Sequence, residues 1–164
     1  MASNTIQNYE QLSYSANRGA MHRAKCVQVI GDAVATRTLL PAEAGATCLF
    51  DVASGVVYTL PPPVAGMEFE FVTTVTITSN SAKVLTDAAT TFVLGGAALL
   101  NSGATTGQFF AANGTTHRSI NGNGTTTGGI IGDRIRFRAL SSTVWYCDAV
   151  MNQTGVAATP FATS

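Results

Sequence analysis

Charge is scarce in this chain. Only 11% of its 164 residues are charged, less than half the usual quarter. Nine basic and nine acidic side chains cancel to a formal net charge of zero. Without a basic field, nucleic acid is not expected as a ligand. A surface this poor in charge must draw its polarity from Thr, Ser, Asn and Gly, or be covered in part by partner chains. Long apolar runs are missing too. Nothing approaches the ~18 residues that a membrane-spanning helix needs, so no membrane partner is expected. Met1 to Glu10 lack the basic start and apolar core of a secretion signal, which points to synthesis in the cytoplasm.

The residues of chemistry are just as sparse. The three cysteines, Cys26, Cys48 and Cys147, form an odd set at no framework spacing. They lie in apolar or alternating runs and read as buried thiols. His22 and Cys26 stand four apart, while His117, Asp148 and the other cysteines are scattered, so the close ligand pairs of a zinc site are lacking. Asn121, Asn123 and Asp133 offer oxygens, but without the acidic density of a calcium loop. There is no Gly-x-Ser-x-Gly elbow. The glycine-rich segment holds no lysine, so it is not a P-loop. Asn-x-Thr occurs at Asn113, Asn123 and Asn152 and reads as turn chemistry. No catalytic residue, metal or cofactor is expected, and the chain does not read as an enzyme.

Glycine is abundant where it counts. The stretch from Asn121 to Arg138 holds glycines at 122, 124, 128, 129 and 132, then alternates Arg134, Arg136 and Arg138 with Ile135, Phe137 and Ala139. That is a wide polar loop feeding a half-buried strand, with Thr143 to Val150 as the returning strand. The arginine stripe has three readings. It is a solvated face, it pairs with carboxylates of another chain, or it binds phosphate. Glu68 and Glu70 form a matching acidic stripe that could neutralise it across a sheet.

The rest of the chain is a series of short strand candidates. They run over 24–30, 35–40, 46–52, 56–60, 68–72, 73–78, 82–85, 91–94, 108–112 and 116–120. Hairpins are expected over Ala53-Ser54-Gly55 and over Asn113-Gly114, and a turn at Asp87-Ala88-Ala89. Gly95 to Gly107 reads as a loose region and 152–164 as a tail. No window carries a helical period with caps. The expected fold is all-β: an antiparallel β-sandwich or barrel-like domain over residues 23–164. Residues 1–22 read as an extended N-terminal arm, and Tyr9, Leu12 and Tyr14 are the groups with which it could dock on a neighbour. Fully extended, the arm reaches on the order of 70 Å.

Several segments together resemble a known kind of protein. They are Thr59-Leu60-Pro61, Phe69-x-Phe71-Val72, Thr76-x-Thr78-Ser79-Asn80, Asn123-Gly-Thr-Thr-Thr-Gly-Gly129, Gly132-Asp133, the Trp145 strand and Ala158-Thr-Pro-Phe161. In these the chain resembles the capsid decoration (cement) proteins of tailed bacteriophages, over about residues 35–164; the glycine segment is the most specific part. The resemblance implies a non-enzymatic homotrimer on the outer capsid surface of the virion. Its partner would be the major capsid protein, at junctions between capsomers. The contact candidates are Tyr9, Leu12 and Tyr14 in the arm, Asn123, Thr125 and Thr126 in the loop, and Arg134, Arg136 and Arg138. The alternative is a tail or head-fibre component that binds host surface glycans through exposed aromatics. Trp145, in a strand, reads as core instead.

Overall fold

The protein is described here from a computed structural model, which describes residues 28–31, 35–101, 103 and 106–164. The expected arm with Tyr9, Leu12 and Tyr14, together with His22 and Cys26, lies outside the described residues.

The described chain is almost entirely β. The strands are β1 (Val29–Ile30), β2 (Thr36–Thr38), β3 (Thr47–Phe50), β4 (Val57–Thr59), β5 (Glu68–Thr73), β6 (Ala82–Leu85), β7 (Phe92–Asn101), β8 (Gly107–Asn113), β9 (Ser119–Gly122), β10 (Arg134–Ala139), β11 (Val144–Gln153) and β12 (Phe161–Ala162). One short 3-10 turn, Pro41–Glu43, follows β2. A seven-stranded sheet has the order β1-β3-β5-β10-β11-β7-β8, and a five-stranded sheet has the order β12-β9-β6-β4-β2. Neither closes, so the barrel-like alternative is not met.

The antiparallel expectation holds only in part: β5–β10, β10–β11, β7–β8, β6–β9 and β9–β12 are antiparallel. The pairs β1–β3, β3–β5, β2–β4, β4–β6 and β7–β11 are parallel. The reason lies in the connections. From β1 to β6 the strands alternate between the two sheets, so the chain winds like a flattened coil. Each strand then meets the one two steps earlier running in the same direction. For the same reason Ala53-Ser54-Gly55 is not a hairpin. It carries the chain from β3 in the large sheet to β4 in the small one. The turns after β6 and at Asn113-Gly114 also change sheets. Their local chemistry was legible; the sheet that receives the next strand was not.

Period-two patterning builds the core. β5, β10 and β11 each bury every second residue. Phe50 and Phe71 of the large sheet meet Tyr58 of the small sheet, with ring centroids 5.4 Å apart in both contacts. Phe137 extends the cluster at 6.1 Å from Phe71, and Trp145 at 6.4 Å from Phe137. These edge and tilted contacts add to the burial of large apolar area.

Of the described residues from Gly95 to Gly107, a segment expected to be loose, 95–101 and 107 are strand. β7 runs on to Asn101, between β11 and β8. Its small residues are required there. Gly95 has φ 120°, and a Cβ on it would lie 2.1 Å from the Cys147 carbonyl oxygen. Residues 74–78 are irregular backbone, although Ile77 is buried in the core. The tail from Asn152 contributes the end of β11 and all of β12.

Candidate interaction surface

The outer face of the large sheet carries the alternate residues that the core does not take. β10 lies between β5 and β11. Its register sets Arg138 opposite Glu68 and Tyr146, and Arg136 opposite Glu70 and Asp148. Arg138 places Nη2 at 2.6 Å and Nε at 2.7 Å from Glu68 Oε1. Arg136 Nε donates to Glu70 Oε1 at 3.1 Å. Arg134 sits opposite Val72 and reaches Glu70 only diagonally, at 3.9 Å. The two stripes found in the sequence therefore neutralise each other within one chain. Such exposed pairs contribute about 0–1 kcal/mol each. They leave the face nearly neutral rather than basic.

Next to the ladder is a groove of about 820 Å³, lined by Glu68, Glu70, Arg136, Arg138, Tyr146 and Asp148 among others. Beyond it, towards β8, the face turns apolar. Val150, Leu94, Leu100 and Phe109 are all exposed, Phe109 at 71%. The Phe109 ring lies over Gly96, where a Cβ would come within 2.1 Å of it. The sequence reading missed Phe109. The signal was there: adjacent phenylalanines in a strand cannot both face the core.

The glycine loop is held from inside. Asn123 Oδ1 accepts from the backbone N–H groups of Thr125, Thr126 and Thr127 at 2.9, 2.8 and 3.2 Å. Its Nδ2 donates to Thr126 Oγ1 at 2.8 Å. Asn113 caps Thr115 and Thr116 in the same way, both at 3.0 Å. The repeated Asn-Gly-Thr-Thr is thus repeated turn chemistry. Of the three loop candidates, Thr125 is exposed, while Asn123 and Thr126 are half-buried and spend their polar atoms on the turn. The structure does not bring this loop together with the arginine stripe as one patch of side-chain contacts.

Asp133, weighed in the sequence only as a calcium oxygen, anchors the loop. It is fully buried. Its Oδ2 accepts from Gly129 N at 2.7 Å and Ile130 N at 3.0 Å. Its Oδ1 accepts from Asn152 N at 2.7 Å and Asn152 Nδ2 at 2.9 Å. Burial pushes the carboxyl above its ordinary range, and the N–H donors of Asn152, Ile130 and Gly129 pull it back.

Cys48 and Cys147 are buried free thiols. Burial, helped by Glu43, pushes Cys48 up to about 12, and burial also pushes Cys147 up. Thiolate is the reactive form, so neither should react in the fold. We expect a brief iodoacetamide pulse at about pH 8 to leave both unmodified by peptide mass spectrometry. Both should label fully in denaturant. Labelling of either thiol in the native protein would contradict the packing described.

Among the described residues, no group of three or more His, Cys, Asp or Glu stands close enough to hold a metal ion. None of the described helices is long and apolar enough to cross a membrane. Comparison with protein-family models, curated proteins and solved structures found no match.

Proposed function

We propose that this chain is a non-enzymatic structural binding protein: a capsid decoration protein that contacts the major capsid protein on the outer surface of a tailed-phage head and braces the shell. The observation that supports this reading best is the outer face of the large sheet. Its arginines are paired with glutamates of the same chain, and towards β8 it presents exposed Leu94, Leu100, Val150 and Phe109. Such a surface suits contact with protein. In this reading the two sheets act as one sandwich, residues 1–22 serve as an arm, and many modest contacts add up over the shell. Neither a cofactor nor nucleic acid takes part.

One feature favours the runner-up, a tail or head-fibre component that binds glycan. Tyr146 is an exposed ring beside Asp148, Arg136 and Arg138 in the groove, a combination that can stack on and hydrogen-bond a sugar. Trp145 is fully buried and offers nothing to a ligand.

Co-sedimentation with emptied capsids decides between them. The decoration reading expects saturable pelleting with capsids, and weaker pelleting when residues 1–22 are removed. It also expects no retention on immobilised cell-surface glycans. Retention on glycan that is lost in Tyr146→Ala, with no capsid binding, would transfer the function to the runner-up.

A further inference from the structure

The sheets have four edges, and three of them are protected by being short. β1 and β12 have two residues each. β2 has three, among them Arg37, which is paired to Glu43 at 2.6 Å. The fourth edge, β8, is different. It runs seven residues, Gly107-Gln-Phe-Phe-Ala-Ala-Asn113, with no charge and no proline. Natural proteins blunt such edges, because unpaired N–H and C=O groups recruit another strand.

The outward groups of β8 can be placed. Gly114 N donates to Val93 O in the direction of β7, whereas Asn113 N donates the other way, to His117 Nδ1. In an antiparallel ladder these directions alternate by residue. The backbone groups of Phe109 and Ala111 therefore point out of the sheet, while Phe110 turns its own towards β7. Phe109 also stands 71% exposed on the outer face, beside exposed Leu100 and Val150.

We propose that β8 is a self-association edge: two copies of this chain pair β8 with β8, antiparallel about a two-fold axis through Phe110. This register sets Gln108 to Ala112 of the two copies opposite each other, while the outward Asn113 N–H stays with His117 Nδ1. It sets Phe109 of each copy across from the partner's Ala111, a large residue against a small one. It makes Phe109 and Ala111 the hydrogen-bonded pairs, as their outward backbone groups require. A strand that pairs with itself cannot carry charge without setting like charges near each other, and β8 carries none. The exposed strip lies on the same face and becomes continuous across the axis. This identifies the occupant as a second copy.

One strand pair is smaller than the roughly 800 Å² per partner of a standard interface. A monomer–dimer equilibrium on the order of 10 µM is expected. Sedimentation velocity from about 1 to about 300 µM measures it. Phe109→Lys and Phe109→Glu each put like charges diagonally across the axis, and each should weaken the dimer about 30-fold or more. Both should keep the native circular dichroism and melting, because the side chain is exposed. An equimolar mixture of the two should regain the dimer. Hydrogen exchange at Phe109 and Ala111 should slow as wild-type concentration rises.

A wild-type monomer over the whole range overturns the proposal, as does an oligomer of any size that survives both substitutions. So does a mixture that fails to reassociate. Protection of β8 amides that is independent of concentration would assign the edge to another occupant and also overturn it. The inference does not rest on capsid binding, which is measured separately, and it puts a two-fold pair where the resemblance implied a homotrimer.

Discussion

Replacing Asp133 by Asn is expected to destabilise the fold by about 3 kcal/mol, read as a melting temperature lowered by roughly 10 °C. The size follows from the hydrogen bonds. The Asp133 carboxylate accepts four N–H donors, two on each oxygen, and its own side chain is fully buried. An amide of the same shape has one accepting end. Whichever way it turns, its NH2 group faces two donors. Either the Gly129 and Ile130 amides or the two donors of Asn152 are left without an acceptor. Each orphaned buried donor costs about 1–3 kcal/mol. The backbone of Asp133 also receives Thr73 N and donates to Ile130 O, each at 3.0 Å. The residue thus ties the loop to β5 and β11 at once. Thermal unfolding of Asp133→Asn, with Asp148→Asn as an exposed control, measures the effect. A loss below about 1 kcal/mol for Asp133→Asn would mean that another group holds the loop. Faster exchange at Gly129 and Ile130 in the variant would show that the loop is what loosens.

How legible all this was in the sequence differs by element. The strands with strict alternation, β5 and β10, were plain, because one face is wet and one buried. Their charged faces were also readable as partners: Glu68 and Glu70 do neutralise Arg138 and Arg136. The sheet order was not readable. Ala53-Ser54-Gly55 and Asn113-Gly114 announce that the chain turns, but turn chemistry is local and does not say which sheet receives the next strand. β7 was misread because Gly95-Gly-Ala-Ala98 has poor strand propensity. That composition answers to neighbours from far along the chain, the Cys147 backbone beside Gly95 and the Phe109 ring over Gly96. The anchoring role of Asp133 was not readable, because a lone acid beside glycines looks like a loop residue or a weak calcium oxygen; only burial reveals its four donors. Of the proposed contact residues, Arg136 and Arg138 are engaged within the chain, and Tyr9, Leu12 and Tyr14 lie outside the described residues.

Gly95→Ala should cost more still, about 4 kcal/mol, and chemical denaturation should show it as an early midpoint or as insoluble protein. Two separate penalties add. Gly95 has φ 120°, a conformation that alanine adopts only under strain. Its Cβ would also stand 2.1 Å from the Cys147 carbonyl oxygen, well inside contact distance. The strand carrying that oxygen cannot retreat. β11 is clamped between β7 and β10, pairing with β7 from Val144 to Gln153 and with β10 from Arg134 to Ala139. Gly132→Ala separates the two penalties. Gly132 has a similar φ of 94°, but nothing lies within 4 Å of a Cβ placed on it. It should therefore show the conformational strain alone, about 1–2 kcal/mol. The gap between the two variants measures how tightly β7 and β11 are pressed together. Equal losses would mean that the close approach is easily relieved, and β7 would then be the part of the large sheet most free to shift.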